Sequence, residues 1–228
     1  MSSRWAGIDP SLYFVTDSAL CARVGRTVAQ TAAAAVAGGA GIVQIRDKQL
    51  DDTCFLALAR GVLAAVQRVA RETGRRVPIV INDRVWVARQ LLNEGEDVHV
   101  HVGQADTPVI EVRRLLGERA LIGLSAATPD DLSAARASGC VDLIGLSPAF
   151  DTATKVDAGT GLGADRVRTL AAQAGLPSVA IGGIDRERAQ LLRGSGLIGV
   201  CVVSAICLAA DPQAAARAIR TAFTSSKP

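Results

Sequence analysis

Short apolar runs rich in β-branched residues alternate along this chain with longer amphipathic stretches of Ala, Arg and Leu. The runs predict eight strands, near Leu12–Thr16, Gly41–Arg46, Pro78–Asn82, Asp97–Val102, Ala120–Ser125, Asp142–Ser147, Ser178–Gly182 and Gly199–Val203. The stretches between them predict helices, among them Thr27–Ala37, Asp52–Thr73, Arg84–Leu92, Pro129–Ala137, Asp165–Ala174, Arg186–Leu192 and Pro212–Phe223. Thr128-Pro129 and Asp211-Pro212 pair a capping side chain with a proline at the first helical turn. Gly38-Gly39 and Gly194 stand where helices should stop. Apolar runs without alternation are the mark of parallel strands buried on both faces. Eight of them separated by helices predict an α/β fold, a single-domain (β/α)8 TIM barrel over residues 1–228. The ends, about 1–10 and 224–228, read as short flexible segments. A doubly wound open sheet is the alternative, but it rarely needs eight successive units.

Several runs end in a polar cluster. Gly41-Ile42-Val43 leads into Gln44-Ile45-Arg46-Asp47-Lys48, Ile79-Val80-Ile81 into Asn82-Asp83, and Val98 to Val102 into Gly103-Gln104-Ala105-Asp106. In a closed parallel barrel the strands' C-terminal ends share one face, where active sites form. Side chains alternate along a strand, so Gln44, Arg46 and Lys48 should point together into the barrel mouth. Arg supplies a planar grip on phosphate and Lys a point charge. Asp83 and Asp106 would lie on neighbouring strand ends. Taken singly each reads as a helix cap. As a pair beside Arg46 and Lys48 they suit magnesium, which needs one or two carboxylates with waters and phosphate oxygens completing the octahedron.

Ser147 to Lys155 forms a hydroxyl-bearing loop ending in a lysine, a plausible anion cradle with Thr152 and Thr154. Gly182-Gly183 closes the seventh run, and a short helix started by Ser204 after the eighth would offer free N–H groups. Barrels often hold phosphate with these last two loops. His99 and His101 are the only histidines, and no third nitrogen or sulfur ligand lies near them in sequence, which disfavours zinc.

Composition narrows the field. Of 228 residues, 49% are hydrophobic and 21% charged, ordinary for a globular enzyme, and the net charge is only +3. Aromatics make up 3%, too few for base-stacking platforms, and no block of like charge suggests a nucleic-acid or membrane partner. The expected partners are small-molecule substrates, with a homo-oligomer left open. Lysine occurs only at 48, 155 and 227, so the two inside the polar clusters stand out. The five cysteines are scattered and odd in number, which reads as reduced thiols in a cytoplasmic protein. Residues 1–10 hold no apolar signal segment.

As a set, these clusters resemble the thiamine-phosphate synthase family. Its pattern runs QxREK or QxRDK, VND, HxGQxD, GxS, GPxxPTxTK, IGGI and VVSAI. This chain has Gln44–Lys48, Ile81-Asn82-Asp83, His101–Asp106, Gly123-Leu124-Ser125, Ser147-Pro148 through Thr152-Ala153-Thr154-Lys155, Ile181–Ile184 and Val202–Ile206, in that order. Leu12 to Asp17 is similar to the family's first strand. The resemblance implies an enzyme joining a pyrimidine methyl diphosphate to a thiazole phosphate, with release of pyrophosphate. It implies that Gln44, Arg46, Lys48, Asn82, Ser125 and Lys155 hold the pyrimidine and its diphosphate. It further implies that Asp83 and Asp106 hold one Mg2+, and that Thr152, Thr154, Gly183, Val203 and Ser204 hold the thiazole phosphate. Arg46, Lys48, Ser125 and Lys155 would then be the catalytic set.

Four positions depart from the pattern. Ala126-Ala127 stands where many members carry a histidine, Ser147 replaces a glycine, Asp151 a proline, and His99 a position often glycine. The missing histidine argues against a thiazole tautomerase, a relative that moves protons and needs an acid–base group there. A Schiff-base aldolase would need Lys48 or Lys155 for a different purpose. A non-catalytic binder of thiazole phosphate would not need the carboxylate pair.

Overall fold

The computed structural model describes residues 3–152 and 159–225. Thr154 and Lys155, both expected in the site, lie outside the described residues. Eight parallel strands close into a barrel in sequence order: β1 Leu12–Val15, β2 Ile42–Ile45, β3 Ile79–Asn82, β4 Val98–Val102, β5 Ile122–Ala126, β6 Leu143–Leu146, β7 Ser178–Ile181 and β8 Gly199–Val202. The ring is shut by β1 on β8, with Tyr13 opposite Cys201. The helices are α1 Ser18–Arg23, α2 Val28–Ala37, α3 Asp52–Thr73, α4 Val85–Asn93, α5 Val109–Leu116, α6 Pro129–Ser138, α7 Ala164–Ala174, α8 Arg186–Leu191, α9 Ser204–Cys207 and α10 Pro212–Thr224.

Burial on both strand faces divides the core in two. One cluster lies between sheet and helices, with Phe14, Ile45, Ile81, Val100, Ile144 and Val202 meeting helix residues such as Phe55, Leu91 and Val167. The other fills the barrel itself: Tyr13, Ile42, Val80, Leu121, Leu143, Val179 and Cys201. Each large aliphatic side chain so buried contributes about 1.5–3 kcal/mol, so both faces hold the strands in register. Helix α3 is long and apolar enough to cross a membrane by length and composition alone. It is instead amphipathic. Phe55, Ala59, Val62, Leu63, Val66 and Val69 recur at helical spacing on its buried side, while Arg60 and Glu72 lie outside.

Capping fixes where helices begin. Asp51, Asp185 and Asp211 each accept a backbone N–H from the first turn of α3, α8 and α10. Thr27 and Thr128 form full capping boxes on α2 and α6.

The N-terminal segment corrects an expectation. Residues 3–5 form a 3-10 turn, and Trp5, 5% exposed, packs into the inner cluster at the bottom of the barrel. Arg4 reaches Asp142 at 2.7 Å and Glu118 at 2.9 Å. Far from being loose, this stretch closes the floor.

Candidate active site

The strands' C-terminal ends open into a pocket lined by every expected site residue among those described. Gln44, Arg46, Lys48, Asn82, Asp83, Asp106 and Ser125 form one wall and Thr152, Gly183, Val203 and Ser204 the other. On the first wall, Gln44 is buried and its Nε2 donates to the Tyr13 hydroxyl at 2.8 Å. Arg46 follows the end of β2. Its backbone N–H donates to Thr16 Oγ1 at 3.1 Å, and its guanidinium is a loose 3.9 Å from Asp17. Asp47 points the other way, as alternation requires, and accepts the N–H groups of Gln49 and Leu50.

The carboxylate pair has the geometry that distinguishes a site from two caps. Asp83 holds a positive φ of 61°, a conformation uncommon outside glycine, with its N–H donating to the His101 carbonyl at 2.9 Å. Helices α4 and α5 begin at Arg84 and Pro108 without any side-chain cap, so neither Asp83 nor Asp106 serves that purpose. Asp106 instead accepts the N–H of Gly103 at 2.8 Å. Burial, and then the neighbouring Asp106 charge, push the Asp83 carboxyl up to about 6, while Lys48 pulls the other way. Two hard oxygen donors held together against their own repulsion are the donor set that magnesium accepts. Among the described residues no group of three or more His, Cys, Asp and Glu side chains could enclose a metal unaided. A cation held here would take its remaining ligands from water or phosphate.

Two histidines lie inside the barrel, on different layers. His99 is buried toward the floor, where its Nδ1 accepts the Leu121 N–H at 3.0 Å. His101 lines the pocket, with Nε2 at 3.0 Å from Ser125 Oγ. Burial lowers both to about 4, so both are neutral near pH 7.

On the opposite wall, Gly183 has φ 60°, and a Cβ there would fall 2.4 Å from the Asp151 carbonyl oxygen. Only glycine fits. Arg188 from α8 lies over the Phe150 ring and donates to the Gly183 carbonyl at 2.5 Å, fixing the loop. Ser204 opens α9, whose first N–H groups have no side-chain cap. Asp151, the acid that departs from the family pattern, is exposed and accepts the Gly161 N–H at 2.8 Å. One of its oxygens is thus committed to its own loop.

Sequence reading gave Tyr13, Arg188 and Cys201 no place in the site, and gave His101, which opens the His101–Asp106 motif, no role there. The Cys201 thiol lines the pocket and burial raises its pKa well above the ordinary value. What sequence could not show for His101 is its setting: it pairs in register with Gly123, and Ser125 pairs with Gly145.

A closed parallel barrel with charged and hydroxyl groups gathered at the strands' C-terminal ends defines a TIM-barrel enzyme. A family model described as thiamine monophosphate synthase matches residues 12–206. The thiamine-phosphate synthase of Laribacter hongkongensis is 44% identical over 210 residues, covering 92% of this chain and 93% of the relative. That of Psychrobacter sp. is 40% identical over 208 residues, covering 90% and 92%. Among solved structures, the thiamine phosphate pyrophosphorylase of Pyrococcus furiosus matches with a TM-score of 0.78 at 26% identity, covering 94% of this chain and 96% of that one. A Mycobacterium tuberculosis tryptophan synthase structure, at 16% identity and a TM-score of 0.63, shares the fold. The chain belongs to the thiamine monophosphate synthase family, and with it to the transferases of thiamine biosynthesis.

Proposed function

We propose that this protein condenses a pyrimidine methyl diphosphate with a thiazole phosphate, releasing pyrophosphate and thiamine phosphate in the cytoplasm. The observation that carries the reading is the Asp83–Asp106 pair beside Lys48, across one pocket from the Gly183–Ser204 wall. One wall suits a diphosphate with its counter-ion, the other a monophosphate, and the distance between them is a single cavity. Five free cysteines accord with a reducing compartment.

The pyrimidine methylene carbon loses its bond to the diphosphate oxygen, leaving a cation that the electron-rich ring stabilises. The electron pair departs with pyrophosphate, so catalysis consists largely of holding the charge that develops there. Arg46 and Lys48 supply positive charge, joined by Lys155, which lies outside the described residues. Gln44, fixed by Tyr13, and Asn82 orient the pyrimidine. Mg2+ held by Asp83 and Asp106 would supply Lewis acidity toward the leaving oxygens. The Gly183 amide and the first N–H groups of α9 seat the thiazole phosphate, with Thr152 on the same wall and Thr154, outside the described residues, joining them by the family resemblance. Its ring nitrogen then stands near the cation and forms the new bond. No protein nucleophile or strong base takes part.

The test is pyrophosphate release with both substrates, with and without Mg2+. Release requiring all three components, with thiamine phosphate formed in equal amount, is the expected result. Binding of thiazole phosphate with no release under any condition would overturn the reading.

A further inference from the structure

His101 sits where two strands make room for it. A Cβ at Gly123 would lie 2.3 Å from its Nδ1, and one at Gly145 would lie 3.0 Å from its Cε1. The imidazole therefore rests on bare backbone of β5 and β6, with the Nδ1 edge pressed against Gly123. Nδ1 is buried and has no hydrogen-bond partner among the described residues, while Nε2 is 3.0 Å from Ser125 Oγ. A buried N–H without an acceptor costs more than an idle lone pair. The proton of the neutral ring thus belongs on Nε2, and Nε2–H donates to Ser125 Oγ. With that oxygen already accepting from the ring, the hydroxyl hydrogen turns into the pocket.

We propose that His101 is a positioning residue that sets the Ser125 hydroxyl as a donor aimed at an acceptor atom of the pyrimidine diphosphate. This rests on the function proposed above, which places that substrate at Ser125. In the opposite tautomer Ser125 would donate to the ring and show the substrate only lone pairs, which an anionic leaving group repels. The glycines at 123 and 145 are part of the device, because a side chain at either would push the ring off Ser125. His101 touches no reacting atom; it acts through Ser125.

Two measurements test this. The first is long-range proton–nitrogen NMR on the unliganded wild-type protein with labelled histidine, which reports the tautomer without any substitution. The expected result is a neutral ring protonated on Nε2. A ring protonated on Nδ1 overturns the proposal, whatever the enzyme catalyses. The second compares steady-state pyrophosphate release by wild type, His101→Leu, His101→Gln, Ser125→Ala and the His101→Leu/Ser125→Ala double variant. Thiazole phosphate binding, on the far wall, serves as a check that each variant is folded. Loss of the donor should lower kcat by about 10- to 100-fold in His101→Leu. Gln, which can place an amide N–H where Nε2–H was, should recover most of that loss. The double variant should be no slower than Ser125→Ala alone. Multiplying losses in the double variant, or full activity in His101→Leu, would overturn the proposal. A wild type that releases no pyrophosphate would instead defeat the functional reading and leave the tautomer result standing.

Discussion

The barrel's two ends hold the same kinds of charged side chain and treat them in opposite ways. At the floor Asp97 and Asp142 are each matched by arginine. Arg76 grips Asp97 with two nitrogens, each at 2.8 Å. Asp142 takes Arg113 at 2.6 Å, Arg4 at 2.7 Å and the Ile122 N–H at 3.0 Å. At the mouth, Asp83 faces a like charge, and among the described residues Arg46 has a carboxylate no closer than 3.9 Å. Charge that is mutually satisfied holds structure together. Charge held short of satisfaction is available to a ligand. Substitutions at the floor should therefore cost stability, and those at the mouth should cost turnover.

The largest effect is expected at Asp142. Its side chain is 7% exposed and that of Arg113 11%. Asp142→Ala takes from the buried Arg113 guanidinium its near carboxylate, leaving it the carbonyls of Gly117, Ala120 and Cys140, and takes from the Ile122 N–H its acceptor. The substitution should lower unfolding free energy by about 3 kcal/mol in urea titration. The folded fraction should keep its kcat. Asp83→Asn should do the reverse. Pyrophosphate release should fall by about 10²–10³-fold, the Mg2+ concentration needed for half-maximal rate should rise, and the urea midpoint should hold or increase as the repulsion disappears.

A smaller effect concerns pH. His99 titrates near 6.5 when unfolded but near 4 in the buried native site, so acid favours the unfolded chain. Well above pH 6.5 the ring is neutral in both states and contributes no slope. Between pH 7 and pH 5 it should remove about 2 kcal/mol of stability. His99→Asn, whose side-chain carbonyl can still accept the Leu121 N–H, should show a correspondingly shallower decline across that range. Least of all should change in Glu118→Gln, since the Glu118 side chain is 80% exposed. Its contact with Arg4 should be worth under about 1 kcal/mol. A large destabilisation there would blur the distinction between a dry floor and a wet rim.

Much of this arrangement can be read from sequence, and the failures have physical causes. The strands fell within a residue or two of their observed limits, because burial on both faces leaves an unbroken apolar run. Helix α1 escaped notice, and α5, expected after Asp106, was given no limits. In α1 only Cys21 is buried, and in α5 only Val112 and Leu116, so neither repeats its apolar positions often enough to declare a period. The N-terminal segment was misread because a single tryptophan makes no pattern, and its partners Leu121, Leu143 and Val179 lie more than a hundred residues away. The mouth residues were legible because a polar cluster after an apolar run is a local signal. Tyr13 was not, because it looks like one more core side chain until the strand beside it is known, and His101, although it opens a motif, shows its role only against its neighbouring strands. The bond from Gln44 to Tyr13, and the fit of His101 on Gly123 and Gly145, exist only once the barrel closes.

The plug made by Trp5 has a consequence for traffic. With the floor filled among the described residues, the mouth is the one doorway. Under the proposed reaction, two molecules enter by it and two leave by it, and they must form a queue. On that reading, whichever is seated deeper should arrive before its companion and depart after it, and the depth of the seats would set the order of visits.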